Sequence, residues 1–110
     1  MNQLNQNKMN DNELIAEFMG VADKPYCYIP EHTLDVYDEN GFFQEKSNHF
    51  QYNELKYHTS WDWLMPVVSK CFKTGDDTHQ WDNIMDAMFT CDINIVYAQV
   101  VEFINQYNNE

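Results

Sequence analysis

The sequence predicts an α+β fold in which a small antiparallel sheet packs with about four helices in a layered sandwich. Apolar residues recur at helical spacing near the N-terminus, β-prone runs and turn residues crowd the segment 24–57, and three amphipathic stretches follow it. With 110 residues, 44% hydrophobic and 15% aromatic, the chain can form one core. We expect one domain over residues 11–110.

The first helix is expected over residues 11–19. Asn10 and Glu13 have the spacing of a capping box, and Gly20 offers a C-terminal stop. The apolar face of this helix comprises Leu14, Ile15, Phe18 and Met19. Residues 1–10 are rich in Asn and Gln and carry few core-forming side chains, so they predict a flexible polar tail.

The middle third predicts two to four short antiparallel strands. Turn signals at Pro25, Pro30 and the D-E-N-G of residues 38–41 alternate with the β-prone runs YCYI, TLDVY and GFFQ. Asn40-Gly41 is typical of a hairpin turn, and we expect one there.

The stretch S-W-D-W-L-M-P at residues 60–66 predicts the beginning of a second helix. Thr59 or Ser60 can cap it, and Pro66 is tolerated only near the beginning, because deeper in a helix proline costs about 3 kcal/mol. A helical wheel gathers one apolar face, which comprises Trp61, Leu64, Met65, Val68, Cys71 and Phe72.

Trp63 lies about 160° from Trp61 on that wheel, beside Val67 and Lys70, and faces away from the main apolar face. Two interpretations are open. Either the first turn is irregular around Pro66 and Trp63 packs under the strands or a neighbouring helix, or Trp63 is an exposed anchor for a partner, since tryptophan is favoured at interface hot spots.

Two further helices complete the prediction. Asp77 and Gln80 are a candidate cap for a helix whose apolar residues are Trp81, Ile84, Met85, Met88 and Phe89. Asp92 caps the last helix, whose wide apolar face is typical of packing against a sheet or between two neighbours. That face comprises Ile93, Val96, Tyr97, Val100, Val101, Phe103, Ile104 and Tyr107. The expected core comprises Trp61, Leu64, Val68, Phe72, Trp81, Met88, Val100 and Ile104.

The charge of the chain is strongly acidic. Six lysines and no arginine face 18 Asp and Glu, for a net charge of -12. Direct nucleic-acid binding is therefore not expected, since it requires clustered Lys or Arg against the phosphates. An acidic surface instead suits a basic protein partner.

Two acidic sets are candidate partner-binding residues, together with Trp63. One set surrounds the predicted hairpin and comprises Asp35, Asp38, Glu39 and Glu45. The other runs from a loop onto the third helix and comprises Asp76, Asp77, Asp82 and Asp86. Asp82 and Asp86 are like-charged i, i+4 neighbours, a pairing that costs a helix a few tenths of a kcal/mol. Each set is a solvated face, a surface for a basic groove, or a cation site, although calcium loops use tighter spacing.

Neither the histidines nor the cysteines form a catalytic or metal-binding motif. The four histidines, His32, His49, His58 and His79, include no H-E-x-x-H or H-x-H pattern. A metal site from His49 or His58 with Cys71 would have to be assembled by the fold. The three cysteines, Cys27, Cys71 and Cys91, lack a C-x-x-C pair, which argues against a disulfide framework and fits a reducing cytoplasm.

No apolar run has the length of a signal peptide core or a membrane span. The sequence therefore predicts a cytoplasmic protein without a membrane partner. It predicts no enzyme, no cofactor and no metal.

Three segments carry a family resemblance: LIAEFMG at 14–20, YHTSWDWLMPVV at 57–68 and VYAQVVEFINQYN at 96–108. In these the chain resembles small proteins of phages and prophage regions, especially of Bacteroidetes-type hosts, that are grouped as a phage α/β/α sandwich domain. The resemblance spans almost the whole chain in order, with residues 21–56 unmatched. It implies a three-layer architecture and a mobile-element origin, and it brings no catalytic residues.

Two function classes follow. The first is a phage-made inhibitor or adaptor whose acidic surface occupies the nucleic-acid groove of a host protein, as anti-CRISPR proteins do, with a CRISPR effector nuclease as the kind of partner. The second is a self-associating structural or assembly module, for which the wide apolar helix faces and Trp63 would form the interface.

Overall fold

A computed structural model describes the backbone of residues 3–74 and 81–109 and the side chains of 11–74 and 81–109. The described ranges form an α+β fold, as predicted. The helices are α1 (Gln3–Met19), α2 (Trp61–Thr74), α3 (Trp81–Phe89) and α4 (Ile93–Asn108). The strands are β1 (Ala22–Asp23), β2 (Tyr26–Tyr28), β3 (Leu34–Tyr37), β4 (Phe43–Ser47) and β5 (His49–Phe50). The features predicted for Asp76, Asp77, His79 and Gln80 lie outside the described residues.

The strands form two antiparallel sheets. Three short strands pair in the order β1-β2-β5, and β3 pairs with β4 in a separate two-stranded sheet. The predicted hairpin turn is confirmed: Asp38 N–H donates to the Phe42 carbonyl at 2.8 Å and Gly41 N–H donates to the Asp38 carbonyl at 3.0 Å. Gly41 has φ +86°, in the left-handed region that favours glycine. The described strands number five rather than two to four, because β1 precedes the predicted segment.

Helix α1 is longer than predicted. It begins at Gln3, so Asn10 lies inside the helix and is not its cap, and residues 3–10 are helical where a flexible tail was expected. Helix propagation costs little once a packed segment has nucleated it, and the Gln, Lys, Leu and Met residues of this stretch are good helix formers. The predicted stop is confirmed, because Gly20 N–H bonds to the Glu17 carbonyl and Val21 N–H to the Ala16 carbonyl.

The core lies between α1, α2 and α4, with β2, β5 and the segment before α2 covering one side. Its fully buried side chains include Ile15, Cys27, Phe50, Leu55, Leu64, Val67, Val68, Ile84, Val96, Val100, Phe103 and Ile104. Four predicted core residues are buried: Leu64, Val68, Val100 and Ile104. Three others, Phe72, Trp81 and Met88, are partly buried against this core.

The core position predicted for Trp61 is wrong, and Trp63 is the buried tryptophan of α2. Trp61 is 38% exposed, whereas Trp63 is 5% exposed. The Trp63 ring meets Phe50 and Tyr57 edge-on, with ring centroids 5.0 and 5.3 Å apart, and stacks on His32 at 4.4 Å. The prediction that Trp63 packs under the strands is confirmed, and its interpretation as an exposed anchor is wrong. The first turn is nevertheless regular, since the N–H groups of Trp63 and Leu64 both donate to the Ser60 carbonyl.

The prediction for α4 is confirmed at its N-terminus and on most of its apolar face, whereas the prediction for α3 is confirmed only in part of its face. Asp92 caps α4 by accepting a hydrogen bond from Asn94 N–H at 3.0 Å, as predicted. The wide apolar face of α4 packs against α1, α2 and α3. Helix α3 buries Ile84 and Ala87, while Met85 and Phe89, expected on its apolar face, are exposed.

A buried polar cluster joins α1 to α4 and to the segment before α2. Asn12 is 3% exposed and is the buried polar residue of the described core. Its Nδ2 donates to the Leu55 carbonyl at 3.3 Å and lies 3.0 Å from Nδ1 of His58. The Tyr97 hydroxyl donates to Asn12 Oδ1 at 2.9 Å. The amide side chain of Asn12 therefore links α1 to α4 and to the segment before α2, which are distant in sequence.

Candidate functional site

The first candidate site is the hairpin of residues 34–47, which comprises β3, the turn and β4. None of its residues is buried, and its half-buried positions are Leu34, Val36, Asp38 and Ser47. Leu34 is partly buried against the core, and the exposed side chains in the rest of the hairpin are available to a partner.

The turn of the hairpin is held by Asp38. Its Oδ1 accepts hydrogen bonds from the N–H groups of Asn40 and Phe42, both at 2.9 Å, and its Oδ2 accepts from the Gln44 amide at 3.2 Å. Aspartate favours such turns because its short carboxylate reaches backbone N–H groups two residues ahead. This predicted partner-binding residue is thus engaged in the fold of the hairpin.

Asp35 is engaged as well. It lies opposite Lys46 in the strand register, and the Lys46 ammonium is 2.7 Å from Asp35 Oδ1. The hydrogen bond from Lys46 holds the pKa of Asp35 below its ordinary value. Both side chains are exposed, so the pair sets the charge pattern of the hairpin more than its stability.

Glu39 and Glu45 are the acidic side chains of the hairpin that remain available. Both are exposed, and neither carboxylate has a hydrogen bond or ion pair with another residue of 11–74 or 81–109. Glu39 lies in the turn, and Glu45 lies opposite Val36 in the register. Two of the four predicted acids of this set can therefore meet a cationic partner without first breaking a contact.

Three aromatic rings on the hairpin were not predicted as site residues. Phe42 is 70% exposed, Tyr37 56% and Phe43 55%. Tyr37 and Phe43 pack edge-on with centroids 6.2 Å apart, and the Lys46 ammonium lies 5.9 Å from the Phe43 ring. The F-F pair directly after the turn was the available signal. These two phenylalanines are exposed because no other described element packs over them. A short sequence run does not show whether such an element is present.

A groove of about 600 Å³ lies where the hairpin meets the three-stranded sheet. Hairpin residues on one wall include Leu34 and Val36, and the opposite wall includes Tyr26, His49 and Glu54. The groove combines apolar side chains with one histidine and two carboxylates, those of Asp35 and Glu54. It has room for a long side chain of a partner beside the hairpin.

The second candidate site is on α3. Asp82 and Asp86 are exposed there, as predicted. The segment 81–109 contains four acidic residues, Asp82, Asp86, Asp92 and Glu102, and no Lys, Arg or His. Exposed Met85 and Phe89 share the outer side of α3 with the two aspartates. The structure thus places the hairpin set and the described members of the second set, Asp82 and Asp86, on two separate elements.

The described histidines have structural contacts. The His32 ring stacks on Trp63, the His49 ring packs on Tyr28 at 5.2 Å, and His58 lies against Asn12. Among the described side chains, no group of three or more His, Cys, Asp or Glu is arranged to hold a metal ion.

The thiols differ sharply in environment. Cys27 and Cys71 are buried and Cys91 is exposed. Burial raises the pKa of both buried thiols, and that of Cys71 to about 12. Since the thiolate is the nucleophile, neither buried cysteine is activated for catalysis at neutral pH.

We expect one of the three thiols to react with a disulfide reagent in the native protein at about pH 8, and all three in denaturant. Cys91 is open to solvent, whereas Cys71 is protonated and enclosed. The number of reactive cysteines is measured from the absorbance of the thiol that the reagent releases. The Cys91→Ser protein is the control and should show no rapid phase. A rapid phase that persists in this variant would contradict the burial of Cys27 and Cys71.

Within the described part of the chain, no helix is long and apolar enough to cross a bilayer. Comparison with known proteins finds no matching family model, no matching curated protein and no matching solved structure.

Proposed function

We propose that the protein is a non-enzymatic acidic binding protein that inserts the hairpin of residues 34–47 into a positively charged groove of a nucleic-acid-binding protein. The proposal is carried by a hairpin that buries none of its side chains and presents two unpaired carboxylates and three exposed aromatic rings. Occupying the groove keeps RNA or DNA out of it.

The chemistry of the hairpin suits such a groove. Lys and Arg side chains that neutralise phosphates can instead meet Glu39 and Glu45, and a net charge of -12 attracts the basic partner over distance. Arginine also stacks on aromatic faces, which Tyr37, Phe42 and Phe43 offer. A two-stranded ribbon is about 10 Å thick with its side chains, which suits entry into a groove built for nucleic acid.

The target class follows from the resemblance to phage proteins. A phage gains from blocking a host defence nuclease, so we propose a CRISPR effector or another defence nuclease in the bacterial cytoplasm as the partner. In this proposal the inhibitor competes with the guide or target nucleic acid.

The alternative of a self-associating assembly module loses two parts of the interface that was predicted for it, the apolar face of α4 and Trp63. The wide apolar face of α4 contributes Val96, Val100, Phe103 and Ile104 to the core, and Trp63 is 5% exposed. Two copies would also each bring a net charge of -12 to the contact.

The test uses the intact protein as bait in nuclease-treated bacterial lysate, with quantitative mass spectrometry of the captured proteins. The hairpin variant combines Glu39→Gln, Glu45→Gln and Phe42→Ser, and we expect it to retain roughly tenfold less of the specific partner. Raising salt from about 0.05 to 0.3 M should weaken the wild-type capture steeply. The identified partner, purified separately with its RNA or DNA bound, should then release the nucleic acid when wild-type protein is added.

The matched control is Asp23→Asn with Glu102→Gln, which removes the same number of charges from exposed positions outside the hairpin and α3. Both variants must retain the wild-type melting temperature, as expected for exposed positions. Equal capture by wild type and the hairpin variant would refute the role of the hairpin. A partner that keeps its nucleic acid while bound would refute groove blocking.

A further inference from the structure

Helix α3 exposes the most solvent-accessible large apolar side chain of the described chain. Phe89 is 82% exposed and Met85, one turn earlier, is 47% exposed. Asp82 and Asp86 have the same one-turn spacing. At about 100° per residue, the Asp82–Asp86 pair runs beside the Met85–Phe89 pair along the outer side of the helix. These four residues are the α3 face.

The orientation of the α3 face is set by packing. Ile84 is fully buried and Ala87 is 4% exposed on the opposite side of the same helix. The helix therefore cannot rotate to hide Phe89 without exposing Ile84. Phe72 and Met88 extend the apolar surface inward, and with Met85 and Phe89 they line an open groove of about 490 Å³.

We propose that the α3 face is a docking surface for a basic amphipathic helix of a partner protein. The apolar side of that helix would lie in the groove against Met85 and Phe89, and its Lys or Arg residues would meet Asp82 and Asp86. Recognition of a helix in an apolar groove uses such one-turn spacing of anchors. Methionine side chains adapt well to a partner helix because they are flexible and polarisable.

The charge of the α3 face favours a basic helix over a second copy of this chain or a nucleic acid. The like-charged Asp82 and Asp86 disfavour α3 on its own and become favourable when a cation lies between them. A second copy would bring another pair of aspartates to the same contact, and a nucleic acid would bring phosphates. In both cases the added negative charges would repel Asp82 and Asp86. A partner helix with lysine or arginine beside its apolar side is the class that removes the repulsion.

The α3 face shares no residue with the hairpin, so this inference does not depend on the proposed function. If both surfaces are used, one chain bridges a basic groove and a basic helix. Substitutions in the hairpin and in the α3 face can therefore test the two surfaces separately.

The experiment measures binding of two synthetic helical peptides of about 18 residues, or five turns, by calorimetry. One has leucines on one side and lysines on the other, and the second replaces lysine with glutamate. We expect the Leu/Lys peptide to bind and the Leu/Glu peptide to bind at least roughly tenfold more weakly. With ¹³C-methyl methionine, the signals of Met85 and Met88 should shift on binding.

Variants separate the α3 face from general attraction of a basic peptide to an acidic protein. Phe89→Ser should weaken Leu/Lys binding by roughly tenfold or more, and Phe42→Ser, its matched control on the hairpin, by less than about twofold. Asp82→Asn with Asp86→Asn should weaken binding by roughly three- to tenfold, and Glu39→Gln with Glu45→Gln should have a smaller effect. Met85→Gln is the second test of the apolar contact.

Three outcomes would overturn the proposal. The first is equal loss of peptide affinity in Phe89→Ser and Phe42→Ser, or no loss in either. The second is peptide binding that leaves the Met85 and Met88 signals in place. The third is a wild-type dimer in sedimentation analysis that Phe89→Ser dissociates, because a second copy would then occupy the α3 face.

Discussion

Replacing Trp63 with alanine is expected to lower the free energy of unfolding by about 3 to 5 kcal/mol, whereas Trp61→Ala should cost about 1 to 2 kcal/mol. Trp63 is 5% exposed and contacts the rings of Phe50, Tyr57 and His32, so its removal leaves a cavity that these groups cannot close. Trp61 is 38% exposed, and water can fill much of the space that it leaves.

Urea denaturation of the two variants checks this expectation, with the midpoints compared at equal slope. A domain of this size is held by about 5 to 15 kcal/mol, so Trp63→Ala should remove a large part of the stability. Each tryptophan serves as the control for the other, since the two lie in one helical turn and have the same side chain. A larger loss for Trp61→Ala would show that α2 is rotated relative to the core described above.

Replacing Asn12 with alanine is expected to cost about 2 to 4 kcal/mol, although the side chain is small and polar. The variant leaves the Leu55 carbonyl and the Tyr97 hydroxyl each short of the hydrogen bond that Asn12 supplies, and each such buried deficit costs about 1 to 3 kcal/mol. Asn105→Ala on the exposed side of α4 is the control and should change stability by less than about 0.5 kcal/mol.

A double-mutant cycle tests whether the cluster acts as a unit. Tyr97→Phe removes the hydroxyl that donates to Asn12 Oδ1, so the double variant should lose less stability than the sum of the two single variants. The coupling between the two positions should be about 0.5 to 3 kcal/mol. Full additivity would mean that the 2.9 Å contact between Tyr97 and Asn12 contributes nothing to stability.

The candidate site was accessible to sequence reasoning only in part. The acidic residues of the hairpin and of α3 were identified, and the exposure of Asp82 and Asp86 is confirmed. Sequence could not separate Glu39 and Glu45 from Asp35 and Asp38, because that distinction depends on which groups the strand register and the turn bring within hydrogen-bond distance. The exposed aromatic side chains were missed because an apolar residue in a β-prone run is ordinarily assigned to a core.

Structural features that depend on residues only a few positions apart could be predicted from the sequence. The Asp92 cap, the Gly20 helix end and the turn at Gly41 all arise from hydrogen bonds that span two to five residues. Such contacts form whenever the local residues are present, and the surroundings need only leave them undisturbed.

Which side of each helix is buried depends on tertiary packing and could not be predicted from the sequence. A helical wheel gives the direction of an apolar face but not the neighbours on its flanks, so Trp63 rather than Trp61 is buried where β5 and Tyr57 lie against α2. The Asn12 contacts join residues 43, 46 and 85 positions apart, which no local pattern encodes. Phe89 stays in solvent for the same reason, because Ile84 and Ala87 on the other side of α3 are the residues that meet the core.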